Sequence, residues 1–145
     1  MVLRPATQND VDHLFAIHRE ALKSYVDATW GWDENWQAAH FRDNFDPSIR
    51  QVISYADEDV GFLDLIVTRD AAKLENIEIA PRYQGRGIGT KLIRRIISDA
   101  ENMRIPVRLQ VLKVNPRARA LYQRMGFVQI GQTENHFQME RLPTG

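Results

Sequence analysis

The 145-residue chain contains no cysteine. Disulfides, thiolate metal sites and a cysteine nucleophile are therefore excluded, and nothing suggests an oxidising compartment. Net charge is missing too, since 19 lysines and arginines balance 19 aspartates and glutamates. A bulk binder of nucleic acid or of a membrane surface needs a surplus of one sign, so neither partner is expected. No apolar run approaches the ~20 residues of a membrane span. The opening MVLRPATQND lacks the apolar core of a signal peptide, which leads to the expectation of a cytoplasmic protein. The 4 histidines, at 13, 18, 40 and 136, show no metal-ligand spacing, and no metal is expected. Repeats, low-complexity tracts and linkers are lacking, and the length suits one domain over 1–145 that buries roughly two thirds of its unfolded surface.

What is present is a clear alternation of periods. VLRPA (2–6) reads as a first strand. Thr7 starts a helix, with Asp10 in the reciprocal position of a capping box. Val11, Leu14, Phe15, His18 and Leu22 then share a helical face. A turn at Trp30-Gly31-Trp32 leads to a second helix over about 33–45, before Pro47. Three strands follow at 50–57, 60–69 and 73–80, with turns at Asp57-Glu58-Asp59 and Asp70-Ala71. Ile88, Leu92, Ile93, Ile96, Ile97 and Ala100 form the apolar stripe of a third helix. VRLQVL (107–112) is a strand. Asn115-Pro116 is a strong helix start, with Asn at the cap and Pro at the first helical position, and Gly126 suits that helix's end. FVQIGQ (127–132) and NHFQMER (135–141) close as a hairpin. The order β-α-α-β-β-β-α-β-α-β-β defines an α+β fold with a mixed sheet.

Glycine is scarce, 8 in all, yet three fall within five positions of YQGRGIGTKL (83–92), where a strand gives way to a helix. A Walker-type loop fails because position 90 is Thr and Lys91 precedes Leu92. A dinucleotide fingerprint fits Gly85 and Gly87 but again meets Thr90. A kinase glycine loop lies between two strands, whereas this one opens a helix. A plain tight turn accounts for one glycine less awkwardly than for three. The remaining reading is an anion site, most naturally for a pyrophosphate: exposed N–H groups at a helix N-terminus, with Arg82 and Arg86 alongside.

Gln84-Gly85-Arg86-Gly87-Ile88-Gly89 resembles the Q/R-x-x-G-x-G/A signature of the GNAT superfamily of N-acetyltransferases, in its small single-domain bacterial type. The preceding strand IEIAP (77–81) and the downstream block VNPRARALYQRMGF (114–127) are similar as well, and the order of elements matches over nearly the whole chain. The resemblance implies a mostly antiparallel mixed sheet of about seven strands with helices on both faces. Its parallel strands would splay after residues 77 and 107. It also implies acetyl-CoA as cosubstrate, the loop holding its pyrophosphate through Gln84, Gly85, Arg86, Gly87, Ile88, Gly89 and Thr90. Backbone groups of Ile77, Ile79, Ala80 and Pro81 would bind the pantetheine arm. Pro81 can offer only a carbonyl, so N–H contacts fall to Ile79 or Ala80. Asn115 and Arg117 would touch the cosubstrate from the last helix.

By the same resemblance, a primary amine attacks the thioester directly through a tetrahedral intermediate. Tyr122 would protonate the CoA thiolate, an effect of about 10²-fold, rather than serve only as a core tyrosine. Glu78 would be the base, directly or through water, although it also fits the polar half of an amphipathic strand. His136 is a second candidate base. Tyr25, Trp30, Trp32 and Trp36, with Asp27, Asp33 or Glu34, could receive a cationic acceptor, or could simply pack the first two helices. The acceptor, a small molecule or a peptide, stays open, as does a monomeric or homodimeric state. Two other classes are a non-catalytic acyl-CoA sensor or partner-binding module on the same fold, and a nucleotide phosphotransferase, for which the Walker residues are missing.

Overall fold

Among the described residues seven strands and four α-helices form close to where the periods place them. The computed structural model describes residues 1–29 and 31–144, and only the backbone of Ser24, Tyr25, Ala28 and Thr29. In chain order the elements are β1 (Val2–Pro5), α1 (Val11–Thr29), α2 (Glu34–Asp43), β2 (Arg50–Tyr55), β3 (Glu58–Val67) and β4 (Ala72–Ile79). They continue with α3 (Ile88–Met103), β5 (Val107–Leu112), α4 (Pro116–Arg124), β6 (Val128–Gln132) and β7 (His136–Arg141). The strands make one mixed sheet in the order β1-β2-β3-β4-β5-β7-β6. Its parallel register, β4 with β5, runs from Ala72↔Val107 to Leu74↔Leu109, while the β1–β2, β2–β3, β5–β7 and β6–β7 pairs are antiparallel.

The chain forms two compact units, and β3 and β4 contribute to both. The first comprises Met1–Asp64 and Asn76–Gly89. Its core gathers Ala6, Leu14, Ile17, Phe41, Phe45, Val52, Phe62 and Ala80, with Val11, Phe15 and Tyr83 packed on them. The Asp10 carboxylate accepts the Thr7 N–H at 2.8 Å, the reciprocal bond read from the sequence. The residues between form a 3₁₀ turn, so α1 starts one turn later, at Val11. Asp33 caps α2 by accepting from the Trp36 N–H at 3.0 Å.

The β2–β3 turn differs from the sequence expectation. Tyr55 pairs with Glu58, so only Ala56 and Asp57 lie in the turn, at φ of 52° and 66°. Two-residue hairpins with this sign match strand twist, but they normally carry Asn or Gly there, and neither is present to mark it. Glu58 and Asp59 consequently belong to β3. Asp59 accepts from Ser54 at 2.7 Å and from Arg4 at 2.9 Å.

The second unit comprises Leu65–Glu75 and the chain from Thr90 onward. Leu92, Ile93, Ile96 and Ala100 of α3 are buried there, while Lys91, Arg94, Arg95 and Asp99 are exposed, as the stripe requires. Val107, Leu109 and Val111 of β5 are buried in strict alternation. Asn115 accepts the Ala118 N–H at 3.2 Å, and Pro116 occupies the first helical position of α4. Arg141 ties the end of β7 to α3 through Glu101 at 2.7 Å.

Candidate active site

The glycine loop follows β4 through a 3₁₀ turn at Pro81–Tyr83 and delivers the chain into α3. Gly85 and Gly87 have φ of 77° and 79°, a region costly for any residue with a Cβ. A Cβ built at either would meet nothing within 4 Å, so backbone conformation, and not crowding, demands glycine there. The third glycine has another reason: a Cβ at Gly89 would lie 3.4 Å from Ile79 Cδ1. The loop thus presents bare backbone where the unpaired N–H groups and positive dipole end of α3 begin. Ile88 is itself buried, so its contribution is its backbone.

Arg82 and Arg86 both lie against the Tyr83 ring, at 5.3 and 5.1 Å. Tyr83 donates its hydroxyl to Glu58, which raises the phenol pKa above its ordinary value. Arg82 also approaches Glu58, at 3.5 Å. Gln84 donates its side-chain amide to the Ile79 carbonyl at 2.8 Å, bracing the loop against the end of β4.

One backbone expectation needs correction. The Ala80 N–H donates to the Val60 carbonyl at 2.8 Å, so it is engaged inside the sheet. The Pro81 carbonyl accepts from the Gln84 N–H at 3.2 Å within the 3₁₀ turn. Successive strand residues direct their N–H and carbonyl groups to opposite edges. Ile79, and two residues earlier Ile77, therefore carry the backbone groups directed away from β3.

Glu78 does not belong to a polar strand half. Ala72, Leu74, Glu78 and Ala80 are buried on one parity, which also carries the exposed Asn76, while Ile77 and Ile79 are half-buried on the other. The carboxylate is 3% exposed, and its oxygens lie 2.9 and 2.8 Å from His18 Nδ1. His18 comes from α1, sixty residues earlier in the chain. Its ring centroid lies 5.0 Å from Phe41, 6.1 Å from Trp32 and 6.2 Å from Phe15. In the sequence alone His18 lies on the inner face of the first helix, with no chemistry assigned to it. Its signal was a lone polar residue on an apolar face.

The expected acceptor wall is divided. Trp32 contacts His18 and donates its indole N–H to Glu34 at 2.9 Å. Glu34 also accepts from Arg19 at 2.7 Å, and Asp33 is the α2 cap, so both acids already have partners. Trp36 is 56% exposed and stacks on His40 at 4.5 Å. Trp30 and the Tyr25 side chain lie outside the described residues.

In the second unit Tyr122 is buried on α4, its ring 5.9 Å from Phe127. Burial pushes its phenol up to about 12. Asn115 is the α4 cap, Arg117 is exposed in the first turn, and Thr90 is half-buried on α3. His136 opens β7 opposite Leu112, half-buried, and burial lowers its pKa. Among the described residues no group of acidic and histidine side chains could hold a metal ion, and no helix is long and apolar enough to cross a membrane.

The chain belongs to the acetyltransferase (GNAT) family, whose model matches residues 13–127. It is 28% identical over 136 residues to an uncharacterised N-acetyltransferase of Methanocaldococcus jannaschii, a match covering 86% of this chain and 59% of that protein. It is 30% identical over 78 residues to the ribosomal protein bS18-alanine N-acetyltransferase of Haemophilus influenzae, covering 54% of this chain and 53% of that one. The chain therefore spans little more than half the length of these relatives. In fold it is similar to the PaiA N-acetyltransferase of Thermoplasma acidophilum in complex with coenzyme A, with a TM-score of 0.77 and 19% identity, covering 97% of this chain and 98% of the other.

Proposed function

We propose that this chain is an N-acetyltransferase that moves an acetyl group from acetyl-CoA to a primary amine. The observation that carries the reading is the bare backbone of Gly85 and Gly87 at the start of α3, open on the side where side chains would otherwise project. The pyrophosphate would lie against the N–H groups from Gly85 to Thr90, with Arg86 as the nearby cation. The outward backbone groups of Ile77 and the outward N–H of Ile79 suit the pantetheine arm, in the manner of an added strand, the Ile79 carbonyl being taken by Gln84. Asn115 and Arg117 remain candidates for the rest of the nucleotide, Asn115 while also capping α4.

Acetyl-CoA supplies an activated acetyl carbonyl and a thiolate leaving group. The acceptor amine must first lose a proton, because an ammonium has no lone pair to offer. Tyr122, held protonated by burial at about 12, acts as a hydrogen-bond donor to the departing sulfur. Complete transfer from such a phenol to a thiolate of pKa near ~8.5 would be uphill by about 5 kcal/mol. The sulfur's proton then comes from the amine nitrogen or from water, and Tyr122 lowers the barrier by stabilising developing charge. The match to a ribosomal-protein alanine acetyltransferase makes a peptide N-terminus one acceptor to try, beside polyamines and lysine.

Thermal unfolding with ligands tests the donor assignment. Acetyl-CoA at 100 times its Kd should stabilise the chain by about 2.7 kcal/mol through mass action. ATP with magnesium, or NAD, should do little at the same concentration. Greater stabilisation by ATP would overturn the reading.

A further inference from the structure

We infer that the base taking the acceptor's proton is His18, and that Glu78 is the residue that positions it. This assignment rests on the acetyl-transfer reading and deepens it. Glu78 is 3% exposed, and both of its oxygens face the one ring nitrogen, Nδ1, at 2.9 and 2.8 Å. An ionised carboxylate can only accept, so Nδ1 carries the proton. In the neutral ring that leaves the lone pair on Nε2, which has no hydrogen-bond partner among the described residues. His18 is 18% exposed, so of the two groups it is the one a substrate can approach.

The ring's surroundings fix its orientation without competing for that lone pair. Phe15, Trp32 and Phe41 pack around it with their rings tilted to its plane. Two cations beside these rings have carboxylate partners. Arg50, on the Phe41 ring, pairs with Asp64, and Arg19 pairs with Glu34. Among the described residues, Glu78 is the acid that contacts the imidazole. A buried carboxylate behind a histidine that still reaches solvent sets the tautomer and stabilises the imidazolium once it forms.

An ammonium R–NH₃⁺ gives one proton to His18 Nε2, producing an imidazolium beside the Glu78 carboxylate. The freed lone pair forms the N–C bond to the thioester carbonyl. As the C–S bond breaks, its electron pair leaves on sulfur, and the second nitrogen proton neutralises the thiolate directly or through solvent. The imidazolium then releases its proton to water. The net products are the amide, the free thiol and one proton.

The test uses the full chain with acetyl-CoA and three acceptors: an alanine-terminated peptide, spermidine and lysine. His18→Ala should lower kcat by at least about 10²-fold while keeping the thermal shift produced by acetyl-CoA. Added imidazole should restore part of the rate, which a purely structural role would not allow. Glu78→Gln should also lose activity, because an amide can donate to Nδ1 and force the wrong tautomer. Long-range ¹H–¹⁵N NMR reads the positioning separately from turnover: the native ring should be protonated at Nδ1 and bare at Nε2, and Glu78→Gln should reverse this. A native ring protonated at Nε2 overturns the assignment. So does an active wild type whose His18→Ala variant is equally active. A wild type inactive with every acceptor instead removes the acetyl-transfer reading, and the base assignment falls with it.

Discussion

Replacing Asp64 with Ala probes the most demanding interaction in the first unit. The Arg50 and Asp64 side chains are only 7% and 4% exposed. Arg50 Nε and Nη2 donate to the two carboxylate oxygens, each at 2.6 Å, and Asn76 adds a third bond at 2.9 Å. The guanidinium is surrounded by Phe62, Phe41 and Phe45, at 4.2, 4.9 and 4.9 Å from their ring centroids. Its Nη1 is buried with no hydrogen-bond partner among the described residues, so no spare acceptor stands ready there. Asp64→Ala would leave a charge among aromatic rings without its counterion. Breaking such a pair costs about 3–5 kcal/mol, a large share of the ~5–15 kcal/mol that stabilises a typical domain. Asp64→Asn keeps one acceptor and should cost roughly half as much. The double change Arg50→Met with Asp64→Leu removes both charges and fills the space, so it should recover most of the loss. Equilibrium urea denaturation, read from midpoints at constant slope, measures each step. An Asp64→Ala cost below about 1 kcal/mol would refute the reasoning, as would a double variant no more stable than the single. The cage also adjoins the site, because Phe41 contacts both Arg50 and His18. Turnover at a temperature where Asp64→Ala remains folded should therefore drop as well.

Other perturbations separate packing, chemistry and charge. A Cβ at Gly61 would run into the Glu78 backbone carbonyl, so Gly61→Ala should cost about 3 kcal/mol and displace Glu78; unchanged stability in urea would show that β3 yields there freely. Tyr122→Phe should lower kcat by about 10²-fold and leave acetyl-CoA affinity intact. Since the hydroxyl has no protein partner among the described residues, its removal should change stability by less than ~1 kcal/mol. Hydrogen bonding and charge from Arg4, with the Thr7 N–H, hold Asp10 near a pKa of about 2, against an ordinary 3.8. A depressed folded pKa adds stability above the unfolded value, and that stability disappears as pH falls from 3.8 towards about 2. Because the partner Arg4 is well exposed, solvent screening limits the effect to about 1 kcal/mol. Asp10→Asn should thus destabilise the chain at neutral pH and hardly at all near pH ~2; an equal cost at both would exclude this linkage.

Local signals were the legible ones. The α3 stripe, the Asn115 cap with Pro116, and the turn from period two to the helical period around the glycine loop each depend on residues a few positions apart. They placed the corresponding elements within a residue or two. The β2–β3 turn was misplaced because Ala56 and Asp57 take positive φ without a glycine or asparagine to mark it. Glu78 was found, but its surroundings were not. Strand alternation put a carboxylate on one face without revealing that this face is buried, because that depends on residues distant in sequence. Its partner His18 is sixty positions away, and the Arg50–Asp64 pair closes across a hairpin. Pairings of this kind are set by strand register and helix placement, which periodicity does not encode. The engaged Ala80 N–H is a further example, since only the register with Val60 determines which backbone groups at the end of β4 stay available.

The most direct test of acetyl transfer is thiol release from acetyl-CoA, followed with and without an amine. Acetyl transfer predicts release that depends on at least one of the alanine-terminated peptide, spermidine and lysine, with an acetylated amine as the product. Release at the same rate with and without every amine, or no release from a folded chain that acetyl-CoA stabilises, would contradict it.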